Sequence, residues 1–294
     1  MFCSTIIPTI GRPTLGAAVR SVLSQDFDAC QREVIVVNDS GRPLPDFDGR
    51  DCPGVRVINT GQWERSVARN TGAAIAKGKY LHFLDDDDVL LPGALEAFWI
   101  MDQQTTADWF HGGWRTVNNE GEQVAEFRPP LDGNISALLV SGEALPFQAS
   151  LLRTSTFFKV GGYDPLPEVI GVEDRDLGRR LAQVGTVAHV PAVVARIRIG
   201  EAGSTTPWSA TAERDRCSRD KALSALGAFS KLHQSARVPY WRGRVCRAYF
   251  ASAAWNFHGG NVITAISRVF PALSFAAPSF LARGFWTGLR TRIK

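Results

Sequence analysis

The chain has 294 residues, of which 45% are hydrophobic and 21% are charged. This is the composition of a globular protein, and it excludes a disordered tail, a collagen-like repeat and a small disulfide-stabilised fold. The five cysteines are scattered and form no CxxC pair, so they favour reduced, buried thiols over a zinc site or a redox pair.

Charge is divided unevenly along the chain. Residues 205–294 carry 14 Lys/Arg and three acids, a net of +11, whereas residues 1–204 carry 19 bases and 26 acids, a net of −7. No Asp or Glu follows Asp220.

The N-terminus lacks the basic and apolar regions of a signal peptide. The most apolar uncharged run, 269–282, has 14 residues and two prolines, and we expect it to be too short for a spanning helix of about 20 residues.

Apolar runs alternate with helical patterns over the first hundred residues. The runs predict strands at residues 2–7, 33–38, 55–58 and 80–84. The periodicity between them predicts helices at 14–23 and 67–77, the second capped by Ser66. Strands and helices that alternate at this spacing indicate a mostly parallel sheet flanked by helices.

The pattern changes near residue 100. Residues 109–117 and 123–127 predict a hairpin, a helix is expected at 173–184, and a strand at 186–199. Past Ser204 the chain is helical, aromatic and basic in pattern. We therefore predict two halves of one α/β domain, 1–100 and 101–204, followed by a helical segment at 205–294.

Acidic residues follow two of the predicted strands. Asp39 comes directly after EVIVVN, and four consecutive aspartates, 85–88, come directly after YLHFL. Because ligands of an open parallel sheet bind beyond the carboxyl ends of its strands, both acidic positions should share one edge. Adjacent carboxylates repel one another, and a divalent cation such as Mg²⁺ or Mn²⁺, the usual partner of a diphosphate, would relieve that repulsion. A solvated acidic turn is the alternative.

Five stretches, in order, resemble the family 2 glycosyltransferases, which have the GT-A fold. They are STIIPTIGRPTLGAAVRSVLSQ (4–25), EVIVVNDSG (33–41), RSVARNTGAAIAKGKYLHFLDDDDVLLPGALE (65–96), FKVGGYD (158–164) and VEDRDLGRRL (172–181). The resemblance, which reaches to about residue 204, implies a Rossmann-like, mostly parallel sheet flanked by helices, with a helical C-terminal extension. It also implies that residues 1–100 bind the nucleotide-sugar and residues 101–204 bind the acceptor.

The resemblance also implies the roles of individual residues. Those expected to bind the nucleotide-sugar are Pro8, Thr9, Arg12, Asp39, Arg65, Arg69, Asp85 and Asp86. Asp39 would bond the base and Asp85 would face the ribose and the metal. Asp87, with Asp85, would hold Mn²⁺ or Mg²⁺. Asp174 matches the catalytic base and Glu173 is its neighbour in the same pair, although acids at a helix start are also stabilised by the helix dipole.

The sequence departs from the family pattern after the last predicted strand. Many relatives have an Arg-x-His element there, whereas this chain has Arg198, Ile199 and Gly200. Water, His189 or another group would take the place of that histidine. Residues 203–205 resemble the flexible loop that closes over the donor.

These observations predict a metal-dependent, inverting, hexosyltransferase-like enzyme that moves a sugar from a nucleotide-sugar donor to a hydroxyl of a glycan or a lipid-linked saccharide. The resemblance favours a UDP-sugar as the donor, with dTDP and GDP open. A sugar nucleotidyltransferase is one alternative, although residues 8–13 lack the Gly-rich phosphate loop of such enzymes. A non-catalytic sugar- or membrane-binding scaffold is the other.

Residues 221–294 combine 11 Lys/Arg with many aromatic side chains. This combination fits an anionic membrane surface. We expect no nucleic acid partner, because the resembled family gives no precedent for one. The alternative is a helical cap that buries its aromatic side chains on the body of the protein. We expect a cytoplasmic location, and a peripheral position on the inner face of the membrane is a further hypothesis.

Overall fold

The computed structural model describes residues 1–199, 208–225 and 238–291. Its strands are β1 Cys3–Thr9, β2 Arg32–Asn38, β3 Val55–Asn59, β4 Tyr80–Phe83, β5 Val89–Leu90, β6 Trp109–Val117, β7 Gln123–Phe127, β8 Ser150–Arg153 and β9 Val187–Arg198. Its helices are α1 Leu15–Leu23, α2 Arg65–Ala74, α3 Ala94–Gln104, α4 Ser136–Val140, α5 Thr154–Lys159, α6 Glu173–Val184, α7 Trp208–Ala225, α8 Val238–His258, α9 Val262–Ala276 and α10 Arg283–Arg290.

The strands form one mixed sheet in the order β3-β2-β1-β4-β8-β6-β9-β5, with β7 paired to β6. The first four of these are parallel, as predicted from the alternating pattern. Beyond β4 the sheet is mixed, because β8 runs antiparallel to both β4 and β6 and β5 runs antiparallel to β9. The predicted hairpin is confirmed as β6 and β7.

One helix differs from its prediction at both ends. Helix α2 begins at Arg65, and its cap is the Glu64 carboxylate, which accepts a hydrogen bond from the Ser66 backbone N–H at 2.7 Å. Ser66 is therefore not the cap and lies buried in the first turn. The helix ends at Ala74 rather than at residue 77.

Two hydrophobic cores lie on opposite faces of the sheet. Successive side chains of β1 alternate between them, because side chains of a strand point to opposite faces: Ile7 joins the core against α1, and Ile6 joins the core against α2. The second core also contains Tyr249 of α8, Phe275 of α9 and Phe285 of α10. The C-terminal helices therefore complete the core of the body, while the boundaries near residues 100 and 204 remain a prediction.

The helical C-terminal extension is confirmed over the described residues, but its bases face inward. Arg242, Arg244 and Arg268 are buried, and within residues 238–291 only Arg283 and Arg290 are exposed bases. The net charge of the segment therefore overstates the positive charge at its surface.

Within the described residues, one helix is long and apolar enough to cross a membrane by length and composition alone. The expectation that the shorter run 269–282 cannot span stays a prediction. The helical stretch Val262–Ser279 has 18 residues and a mean hydropathy of 1.3, and 33% of the stretch is buried inside the protein. The stretch is longer than the sequence suggested because the helix continues through Arg268, whose charge is paired at 2.8 Å with Asp220.

Candidate active site

A cavity of about 740 Å³ opens at the carboxyl ends of β1, β2 and β4. All eleven residues that the sequence singled out for the site line it: Pro8, Thr9, Arg12, Asp39, Arg65, Arg69, Asp85, Asp86, Asp87, Glu173 and Asp174. The prediction that both acidic positions share one edge of the sheet is confirmed. The roles of these residues stay predictions.

The four aspartates form a tight turn, which we call the acidic turn (residues 85–88). The Asp88 N–H donates to the Asp85 carbonyl at 3.1 Å and directs the chain into β5. The turn brings carboxylate oxygens of Asp85, Asp87 and Asp88 within 4.8 Å of one another. Asp86 is engaged elsewhere, because it accepts from the Thr9 hydroxyl at 2.5 Å and from Arg12 at 3.0 Å.

The carboxylates of the acidic turn differ in how their charge is compensated. Burial and the nearby Asp85 charge raise the pKa of Asp88 to about 9, and its carboxylate accepts from the Arg198 N–H at 2.7 Å. Burial also raises the pKa of Asp87, against the opposing charge of Arg12 at 2.8 Å. At Asp85 burial acts in the same direction, but Arg69 and Gln148, which each donate at 2.8 Å, hold the pKa below its ordinary value.

The acidic turn has the donor chemistry of a divalent cation site. Asp85, Asp87 and Asp88 offer hard carboxylate oxygens, the ligand type of Mg²⁺ and Mn²⁺. Asp86 and Asp87 share the single cation Arg12, and Arg69 is paired with Asp85, so within the described residues the turn has more carboxylates than paired cations. These residues therefore fit a divalent cation, and the sequence had proposed two of the three.

Arg69 connects the acidic turn to α6. Its side chain is only 5% exposed and lies with its guanidinium carbon 5.1 Å from the ring centre of Tyr163. One guanidinium nitrogen donates to Asp85 at 2.8 Å, while the other lies 3.5 Å from Glu173 and 3.9 Å from Asp174. One buried cation thus serves three carboxylates at unequal distances.

Glu173 is held in place by several partners. It is buried, one carboxylate oxygen accepts from the Gly171 N–H at 2.6 Å, and the other lies 3.4 Å from Arg65 and 3.5 Å from Arg69. Gly171 has a φ of +83°, a conformation that favours glycine and that aims its N–H at the carboxylate. With both oxygens occupied, Glu173 is suited to positioning its neighbours.

Asp174 is the less constrained member of the pair. Its side chain is 42% exposed and lines the cavity, while its Oδ1 is buried without a hydrogen-bond partner among the described residues. Desolvation of this buried oxygen raises the pKa of Asp174 to about 6, against the opposing charge of Arg69. A carboxylate with this pKa is ionised at neutral pH and can accept a proton.

At the other end of the cavity, Asp39 follows β2. One of its carboxylate oxygens accepts from the Thr60 hydroxyl at 2.7 Å and from the Trp63 N–H at 2.9 Å, so the side chain is fixed in orientation. Arg12 lies in the loop after β1, where Gly11 turns the chain with a φ of +88°. The Arg12 side chain is 44% exposed and reaches across to the acidic turn.

The structure adds cavity residues that sequence reasoning missed. Gln148 enters from the residues before β8 and bonds Asp85, and no local pattern marked it. Asp88 belongs to the run of four aspartates, so the sequence marked its position in the acidic cluster but not its place among the candidate metal ligands. His189, suggested as a replacement for the missing histidine, is not among the described residues that line the cavity, and its ring lies 5.2 Å from that of His111. Gly200 and residues 203–205 lie outside the described residues.

Comparison with known proteins gives one family and a set of relatives. The model of Glycosyl transferase family 2 matches residues 4–145, which include the acidic turn but end before α6. The poly(ribitol-phosphate) β-N-acetylglucosaminyltransferase TarP of Staphylococcus aureus (strain N315) is 29% identical over 158 residues, 51% of this chain and 47% of TarP. WfgD of Escherichia coli, a UDP-Glc:α-D-GlcNAc-diphosphoundecaprenol β-1,3-glucosyltransferase, is 27% identical over 120 residues, 40% of this chain and 47% of WfgD.

These matches span about half the length of the two relatives. Among solved structures, S. aureus TarS 1-349 in complex with UDP-GlcNAc is similar, with a TM-score of 0.61 over 92% of this chain and 90% of that chain at 15% identity. The same protein in complex with UDP gives a TM-score of 0.59. A likeness at this identity shows the fold, and the predicted α/β fold class with its C-terminal helices is confirmed.

Proposed function

We propose that this chain, which belongs to glycosyl transferase family 2 through residues 4–145, transfers a sugar from a nucleotide-sugar donor to an acceptor hydroxyl. The observation that carries the proposal is the single cavity in which Asp39, the acidic turn and Asp174 meet. A base-recognising carboxylate, a cluster suited to a diphosphate-bound cation and an ionisable general base are the parts that such a reaction needs.

A UDP-sugar is the proposed donor. Asp39, held by Thr60 and Trp63, is suited to accept a hydrogen bond from the N–H of a uracil ring. The similar TarS structure was solved with UDP-GlcNAc and with UDP, which supports uridine over other bases. Arg12, partly exposed and already beside Asp87, is placed to face the donor diphosphate.

A divalent cation, Mn²⁺ or Mg²⁺, is the proposed cofactor, and Asp85, Asp87 and Asp88 are the residues that would hold it. When bound, it supplies positive charge that stabilises the departing diphosphate. The protein side of this arrangement is set by Arg69 and Gln148, which fix the orientation of the Asp85 carboxylate.

The proposed reaction is a single displacement with inversion. Asp174 takes the proton of the acceptor hydroxyl as that oxygen forms its bond to the anomeric carbon, and the bond from that carbon to the diphosphate oxygen breaks with its electron pair leaving on the nucleotide. Because the pKa of Asp174 is about 6, most of it is ionised at pH 7 and it remains basic enough to hold the proton. Arg69, which lies 3.9 Å from Asp174 and 3.5 Å from Glu173, is placed to position the base.

The proposed acceptor is a hydroxyl of a saccharide or of a lipid-linked saccharide. The names of TarP and WfgD give those relatives a poly(ribitol-phosphate) and a diphosphoundecaprenol-linked sugar as acceptors, which supports a phosphate-linked class for this chain. Arg175, which follows Asp174 and lines the cavity, places a guanidinium at the proposed acceptor side, where it also lies 3.7 Å from the Asp215 carboxylate.

A thermal-shift panel tests the proposal. UDP, dTDP, GDP and ADP are compared with and without Mn²⁺, and a ligand at 100 times its dissociation constant stabilises the fold by about 2.7 kcal/mol. We expect UDP with Mn²⁺ to give the largest shift, followed by release of UDP from a UDP-sugar when an acceptor is supplied. Absence of any cation-dependent nucleotide shift would contradict the proposal. Pyrophosphate release from UTP and a sugar phosphate would instead identify a nucleotidyltransferase.

A further inference from the structure

Helix α9 presents an apolar face to solvent. Ile263, Ile266, Phe270 and Leu273 recur at intervals of three and four residues, so they lie along one side of the helix. Their exposed fractions are 86%, 66%, 77% and 56%. We call these four side chains the α9 apolar face. Large apolar side chains that are contiguous and exposed mark a surface that contacts something other than water.

The opposite side of α9 already has its partners. Ala272 and Phe275 are buried in the core shared with the body. Arg268, on the same side, donates to Asp220 at 2.8 Å and to the Ser224 hydroxyl at 2.6 Å. The orientation of α9 is therefore fixed by both packing and an ion pair, and the apolar face cannot turn inward without breaking that pair.

Exposed apolar residues continue along the chain past the end of α9, and exposed arginines follow them. Phe280 and Leu281 are 50% and 97% exposed, and the exposed Arg283 follows two residues later. Helix α10 adds the exposed Arg290. No acidic residue follows Asp220 in the sequence, so no carboxylate of this segment opposes those charges.

We propose that the α9 apolar face, together with Phe280 and Leu281, inserts into the interfacial layer of an anionic membrane, with α9 parallel to the membrane plane and Arg283 and Arg290 at the headgroups. A helix with one apolar face and neighbouring bases binds in this way. A second copy of the chain is the less favourable occupant, because two such surfaces would bring the same arginines together without acids to pair them.

The structure favours lying on the membrane over crossing it. The 18-residue stretch corresponds to about 27 Å of helix, against a hydrocarbon core of about 30 Å. Crossing would also separate Arg268 from Asp220 and place that arginine in hydrocarbon, where a charged side chain is disfavoured.

Because several bases of the C-terminal helices face inward, membrane binding should depend less on salt than the net charge of the segment suggests. With Arg242, Arg244 and Arg268 buried, few charges of the described segment remain for electrostatic attraction, which salt screens. Apolar insertion is not screened. We therefore expect membrane binding that salt weakens only modestly.

Vesicle flotation of the full-length protein tests the proposal. The wild type is compared with the double variant Ile266→Ser/Phe270→Ser, using phosphatidylcholine vesicles with and without an anionic phospholipid, at about 0.05 M and 0.5 M salt. Removing one large apolar side chain from the interface weakens partitioning by about tenfold, so the double variant should bind at least about 30-fold more weakly. The matched control is Ile100→Ser/Val124→Ser, which removes two exposed apolar side chains from α3 and β7 and should bind like the wild type.

Several outcomes would overturn the proposal. These are a wild type that ignores anionic vesicles, a double variant that floats like the wild type, and binding that is abolished by 0.5 M salt as fully as by the double variant. A wild-type dimer in light scattering that becomes a monomer in the double variant would make the face a contact between copies. Thermal shift with UDP and Mn²⁺ is run on every variant, so that failure of membrane binding is distinguished from failure of the proposed donor binding.

Discussion

Replacing Asp174 by Asn is the sharpest test of the proposed mechanism. The amide is nearly isosteric but cannot accept the acceptor proton, and loss of a general base costs about 10²- to 10⁴-fold in rate. The nearest cation is Arg69, 3.9 Å from the Asp174 Oδ1, so the substitution removes no close ion pair. Donor binding should therefore be unchanged, while the rate constant for transfer falls.

The pH profile gives the same experiment a second readout. Burial raises the pKa of Asp174 to about 6, so wild-type transfer should fall with acid below that pH and be about tenfold lower at pH 5 than on its plateau. The acidic limb should disappear in Asp174→Asn. Because the folded-state pKa is raised, the stability contributed by Asp174 is present below pH 4 and is lost as the pH rises through 6, so the Asn variant should be no less stable than the wild type at pH 7.

Controls separate chemistry from general effects of losing a charge. Asp46→Asn makes the same chemical change at a fully exposed position and should leave transfer unchanged. Transfer by Asp174→Asn within threefold of the wild type, or an acidic limb that persists in it, would refute the assignment. Glu173 would then be the next candidate, although its two oxygens are already occupied.

Further predictions concern the donor and the fold. Asp87→Ala should leave the protein folded and lower Mn²⁺-dependent UDP affinity at least about tenfold by calorimetry, because one carboxylate ligand is lost. Asp39→Ala should lower UDP affinity by at least about tenfold, because it removes the proposed hydrogen bond to the base and the bonds that Thr60 and Trp63 donate to Asp39, and it should retain the Mn²⁺ effect because the acidic turn is unchanged. Arg244→Met should lower the free energy of unfolding by about 2 kcal/mol in denaturant titrations, because the buried guanidinium donates to the Ser141 carbonyl. The control Arg283→Met, at an exposed position, should change that free energy by less than about 0.5 kcal/mol.

The part of the site that the sequence predicted is the part set by strand ends. Asp39 and the acidic turn follow β2 and β4, and parallel strands place their carboxyl ends at one edge whatever the details of packing. Asp174 was found only through a resemblance, because an acid at a helix start has an equally good structural explanation in the helix dipole. Its place across from the acidic turn depends on how α6 packs.

What the sequence could not predict depends on contacts between distant segments. Gln148 reaches Asp85 from 63 positions away, and nothing in the local pattern of a 3₁₀ turn marks it. The C-terminal bases are a second case. A charge count cannot distinguish Arg244 and Arg268 from surface groups, whereas in the structure Arg244 donates to the Ser141 carbonyl and Arg268 pairs with Asp220. A count of residues contains no information on the direction in which a side chain points.

The unequal distances around Arg69 give a physical reason for the different functions that we propose for neighbouring carboxylates of this cavity. A single buried guanidinium cannot compensate three acids equally, and Coulomb attraction falls with separation. Asp85 accepts a direct bond at 2.8 Å and keeps its pKa low despite burial, as a ligand for a cation requires. Asp174, at 3.9 Å and without a bond to Arg69, keeps a pKa of about 6, as a general base at neutral pH requires. A shift of Arg69 toward Asp174 would lower the pKa of that carboxyl and weaken it as the proposed base, so we expect the packing of Arg69 on Tyr163 to matter for the proposed reaction.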